Sequence, residues 1–104
     1  MRTFKNATKV NEIKFEKEVK AYCPLGKDDY TCKIKVSVMP SRLLFDFCDA
    51  EKAIDALNGQ PLIVEELAQA VYEIMAEIKP LYIKVQCEAV SPVHFPVTVI
   101  KQTI

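Results

Sequence analysis

The chain has 104 residues, room for one domain around one core, and 50% of them are hydrophobic, an ordinary globular composition that excludes a disordered tail. Its 14 basic and 14 acidic residues balance, so no net field points to a nucleic acid or a membrane, although a local basic stripe can hide inside a neutral total. Met1-Arg2-Thr3-Phe4-Lys5-Asn6 holds no apolar run of signal-peptide type and no stretch approaches membrane-spanning length, so a cytoplasmic single domain over 1–104 with no membrane partner is expected.

In chain order, Ile13, Phe15, Val19 and Ala21 share one parity and Lys14, Glu16, Glu18 and Lys20 the other, which predicts a half-buried strand. Lys17 interrupts its apolar side, as in a short or edge strand, and Pro24 ends it by removing a ladder donor. Leu25 to Asp29 reads as a turn. Tyr30, Cys32, Ile34, Val36 and Val38 then alternate with Thr31, Lys33, Lys35 and Ser37, a second strand close enough to make an antiparallel hairpin with the first. It stops at Met39-Pro40.

Asp46 or Asp49 caps a predicted helix carrying Ala50, Ala53, Ile54 and Leu57, closed by Asn58-Gly59. After Pro61 a longer helix places Ile63, Leu67, Val71, Ile74 and Ile78 on one face, with Pro80 as its stop. Leu81, Ile83, Val85, Cys87 and Ala89 alternate with polar residues, Ser91-Pro92 turns the chain, and Phe95, Val97 and Val99 suggest a last strand. The order ββααββ gives an α+β fold, an antiparallel sheet with two helices on one face. Joining several copies into an oligomeric barrel would cover the remaining face and edges.

Chemistry has few candidates. Only Gly26 and Gly59 are present, so no phosphate-cradling glycine pattern exists. With one histidine, His94, and no C-x-x-C, no metal site is expected. Cys32, Cys48 and Cys87 read as small buried apolar residues with free thiols. Cys23 differs, because it stands where a strand runs into a polar loop, near Lys20, Lys27, Asp28 and Asp29, in surroundings that favour a thiolate. Asp29 is placed to return to it as a general acid/base. Glu65 and Glu66 open the longer helix; acids there complement its dipole, but Leu67 faces the core and one of the two points toward a neighbouring surface.

Cys23-Pro24, Pro40 after the second strand, a glutamate opening the second helix and Pro80-Leu81-Tyr82-Ile83-Lys84-Val85 together resemble the tunnel-fold (T-fold) 7-cyano-7-deazaguanine family, from about Val10 to Ile100. That family holds the QueF nitrile reductases and the shorter QueF-like archaeosine synthases. The resemblance implies a barrel closed by several subunits, with active sites at their interfaces. It implies Cys23 as the nucleophile that forms a thioimide with the nitrile, and a helix-start glutamate, Glu65 or else Glu66, as the anchor of the base. The family's catalytic aspartate falls where this chain has Tyr30, so Asp29, Asp28 or Tyr30 must replace it, and the histidine before the glutamate is here Val64.

Reductases carry Glu-Ser-Lys-Ser after the proline that ends the second strand, where this chain reads Ser41-Arg42-Leu43-Leu44. The resemblance therefore implies an amidinotransferase that makes the amidine of archaeosine on a modified tRNA, with no cofactor. The alternatives are an NADPH-dependent nitrile reductase and a non-catalytic purine or pterin binder. Free base, tRNA and DNA remain open as the carrier of the 7-cyano-7-deazaguanine.

Overall fold

The period-two segments become the strands of one four-stranded antiparallel sheet in the computed structural model, which describes residues 1–103. Its elements are β1 (Thr3–Lys5), β2 (Ile13–Cys23), β3 (Asp28–Met39), β4 (Leu43–Phe45), α1 (Phe47–Asp55), α2 (Val64–Ala76), β5 (Tyr82–Ser91) and β6 (His94–Gln102). The main sheet runs β2-β3-β5-β6, and β1 pairs with β4 in a separate two-stranded ribbon. The ribbon is an addition to the expected ββααββ order. Both of its strands have three residues, too few to show a period.

Register follows parity. Val19 opposes Cys32, Val36 opposes Val85 and Cys87 opposes Val99, so the apolar sets of all four strands point to one side. Both helices lie there, burying Ala50 and Ile54 from α1 and Leu67, Ala68, Val71 and Met75 from α2. The α2 face is turned slightly from the expected one: Met75 is fully buried and Ile74 only partly. At about 25 cal/mol per Å² of apolar surface removed from water, this layer is the main source of stability. The opposite face carries no helix. Rows such as Glu18–Lys33–Glu88–Thr98 cross it, with Lys35 bonded to Glu88 at 3.0 Å.

Lys17, the interruption in β2, marks the edge strand. Its ammonium leaves the apolar side to reach Asp55 at 2.9 Å and Glu51 at 3.8 Å on α1. Asp46 caps α1, its carboxylate accepting the Asp49 N–H at 3.1 Å. Beyond the helix, Gly59 takes the left-handed conformation (φ 75°) and donates its N–H to the Lys20 carbonyl at 2.8 Å, docking the α1–α2 loop on the β2 edge. Of the cysteines expected to be buried, Cys32 and Cys87 are, while Cys48 is exposed. Ala50 and Ile54 define the buried stripe of α1, and a residue two positions before Ala50 falls on the far side of the helix.

Candidate functional site at the hairpin end of the sheet

Both hairpin turns of the main sheet, 24–27 and 92–93, lie at the same end, and the α2 N-terminus is held there too. Cys23 is the last residue of β2 and half-buried, on the side that carries Val19 and Ala21. The turn folds back so that the Gly26 N–H points at Cys23 Sγ at 3.4 Å. The residue directly across the ladder is Asp28, on the same face. Its Oδ2 accepts from Ser91 Oγ at 2.8 Å.

Asp29 does not share that position. It pairs with Tyr22, one residue out of phase, and so faces the helix-free side, where it lines a separate groove with Lys20, Tyr22 and Val90. The acid brought beside the thiol is Asp28. With four turn residues between the strands, ladder parity assigns Cys23 its partner five positions on, a signal that the turn length in the sequence already contained.

Tyr30 lies one step further along the inner face, buried, and donates its hydroxyl to the Leu62 carbonyl at 2.5 Å. Burial pushes its phenol well above the usual tyrosine range, with the neighbouring Cys32, Cys23, Cys87 and Glu65 adding in the same direction. At neutral pH Tyr30 is a committed donor and holds no proton in reserve. Its bond fixes the segment that starts α2.

The two glutamates there divide. Glu66 reaches back to accept the Ile63 N–H at 3.1 Å, the returning half of a capping box; Ile63, as N-cap, has no side-chain oxygen for the other half. Glu65 has no such task and lines an open groove of about 420 Å³ with Cys23, Tyr30, His94 and Phe95. His94 and Phe95 carried no sequence signal as site residues, because they open a strand whose register is shifted by a bulge between Ala89 and Ser91. A hydrogen bond with Cys87 and burial push the Cys32 thiol up, so it stays protonated. A more enclosed apolar cleft of about 240 Å³, between β2 and α1, is lined by no cysteine. Among the described residues no cluster of three His, Cys, Asp or Glu side chains could hold a metal ion.

No family model and no curated protein matches the sequence. The crystal structure of the archaeosine synthase QueF-Like in the apo form superposes with a TM-score of 0.80 over 90% of this chain and 94% of that one. The chain has the tunnel fold. At 20% identity the likeness is one of fold. The tunnel-fold sheet carries its helices on one face, as this chain does, and the expectation of α+β architecture of this kind is met. The β1–β4 ribbon lies at the opposite end from Cys23. No helix among the described residues is long and apolar enough to cross a membrane.

Proposed function

We propose that the protein is a QueF-like amidinotransferase that converts a 7-cyano-7-deazaguanine nitrile, carried in tRNA, to the amidine of archaeosine. The observation that carries the reading is that Cys23 and Glu65, 42 positions apart in the sequence, line one groove at the hairpin end of a tunnel-fold sheet. Cys23 Sγ adds to the nitrile carbon, one C–N π bond opens, and the nitrogen takes up the proton the thiol has given up, passed through a carboxylate. Asp28 takes that part in place of Asp29, which faces the other side of the sheet. Ammonia then adds to the thioimide carbon and the thiol leaves, so that the amidine gains one nitrogen and Cys23 is regenerated. No electrons change hands and no cofactor is needed.

Glu65 accepts the adjacent N–H donors of the base's guanidine-like edge, a paired and charge-assisted geometry. The reductase alternative is disfavoured by the segment after Pro40. Leu43 to Phe45 is tied into a ribbon with β1, and Ser41 is held through its carbonyl by Asn6, so the segment is occupied by structural bonds. A non-catalytic binder would keep Glu65 and the groove without the thioimide. Intact-mass analysis after incubation with 7-cyano-7-deazaguanine separates these: an adduct of the nitrile's mass, absent in Cys23→Ala, is expected. Retained base binding with no adduct would establish the binder instead.

A further inference from the structure

The turn between β5 and β6 reaches the thiol's neighbourhood through a side chain that the transferase reading does not use. Ser91, the last residue of β5, is the one polar residue in the buried set of the described residues, 9% exposed. Its Oγ accepts the backbone N–H of Val93 at 3.2 Å and donates to Asp28 Oδ2 at 2.8 Å. The direction of both bonds is set by chemistry, since a backbone N–H only donates and a carboxylate only accepts. The Val93 bond alone would be an ordinary local turn, seen wherever serine ends a strand. The second bond is not local: it spans 63 residues of sequence and ends on the carboxylate directly across the ladder from Cys23.

An aspartate at a strand's first residue, beside a polar turn, would otherwise turn outward to water. The geometry points to Ser91 as a positioning residue: with the Val93 N–H behind it, it clamps the Asp28 carboxylate on the Cys23 side of the sheet and makes the β5–β6 hairpin part of the reaction centre. Because Ser91 accepts from Val93, its single proton is directed at Asp28, so the clamp holds Oδ2 on the strand position directly across from Cys23. The inference rests on the reading of Cys23 as nucleophile and Asp28 as its proton partner.

Iodoacetamide tests the clamp without the nitrile, because it needs only the thiolate. Peptide mass analysis counts Cys23 separately from the exposed Cys48. In Asp28→Asn, alkylation of Cys23 at pH 7 is expected to speed up about threefold to tenfold, since a negative charge across the ladder from the attacking sulfur is gone. Ser91→Ala releases the carboxylate to swing into water and is expected to give part of that gain, while Ser91→Thr keeps the hydroxyl and returns the wild-type rate. Ser91→Gly carries the same comparison should Ser91→Ala not fold. On the Asp28→Asn background Ser91→Ala should add nothing, and Asp29→Asn should leave the rate unchanged. No acceleration in Ser91→Ala, or the same acceleration with and without the Asp28 carboxylate, overturns the clamp. This alkylation pattern without a nitrile adduct in the wild type supports the clamp and removes the transferase. An adduct without the pattern does the reverse.

Discussion

Tyr30 donates its hydroxyl to the Leu62 carbonyl, two residues ahead of the first turn of α2, and so ties the start of that helix to the third strand. Replacing it by phenylalanine keeps the ring in the core and leaves a carbonyl short of a partner. A loss of about 1–2 kcal/mol of stability is expected by chemical denaturation, together with weaker base binding as Glu65 loses its fixed position. A melting curve identical to wild type would show the bond to be idle. The two glutamates give a paired comparison at the same scale. Glu65→Gln puts a donor where the base needs an acceptor and is expected to cost about 2–5 kcal/mol of binding, the range for breaking a desolvated charge-assisted contact. Glu66→Gln keeps an oxygen for the Ile63 N–H and should cost less than about 1 kcal/mol of stability with base affinity unchanged. Calorimetry on both mutants decides it, and equal small effects would mean that neither glutamate holds a base. That Cys23 stands at a strand end and that the two helix-start glutamates part ways was legible from residue type and place. Which acid stands across from Cys23 was not, because spacing from a cysteine along the chain says less than which side of the ladder a residue takes. Asp28 and Asp29 differ by one position and end on opposite faces.

The β1–β4 ribbon shows what local pattern omits at the level of elements. Thr3–Lys5 and Leu43–Phe45 have no period of their own; long-range polar bonds hold them together. The Arg2 N–H donates to Asp49 Oδ2 at 2.7 Å, its guanidinium reaches Asp46 at 2.9 Å, and Asp46 N–H donates to the Arg2 carbonyl at 2.9 Å. The long strands and both helices were readable because each buries one face against another element. A three-residue strand held by ion pairs leaves no such trace. The Arg2 backbone N–H, with the Arg2 side chain adding to it, holds the Asp49 carboxyl below the usual carboxylate range. A folded-state value below the unfolded one means that the group's stabilising contribution is complete above the unfolded value, near 3.8, and is lost as pH falls through the folded one. The ribbon should therefore loosen below about pH 4, seen as faster exchange of the Asp46 amide after correction for intrinsic rates. Asp49→Asn should lack this acid limb. An unchanged limb in that variant would locate the titration elsewhere.

The single chain is more extended than its mass requires. Its radius of gyration is 14.2 Å, against about 13 Å for a globular chain of this length. Its accessible surface is 6504 Å², against about 5,900 Å² for a monomer of this mass. The excess follows from one bare sheet face and two sheet edges. From Ile13 to Glu18 the outer side of β2 has no backbone partner among the described residues, and β6 ends the sheet on the other side. Large apolar side chains gather at the hairpin end: Leu25 is 80% and Phe95 77% exposed, with Tyr22, Val90 and Val93 beside them. Leu25 and Phe95 line the groove that contains Cys23, and Tyr22 and Val90 line the groove on the opposite face; a monomer has no reason to keep them exposed and a neighbouring subunit would bury them. Assembly into several subunits is therefore expected by light scattering at micromolar concentration. Phe95→Glu separates assembly from folding. An exposed side chain in a monomer can be changed at a cost within about 0.5 kcal/mol, whereas a carboxylate placed in an apolar interface without a partner costs several times more. The variant should thus keep its circular dichroism spectrum and lose the larger species, and nitrile capture by Cys23 should fall with the subunit that completes the groove. A wild-type chain that stays monomeric while Cys23 still reacts would break the link between barrel closure and the site.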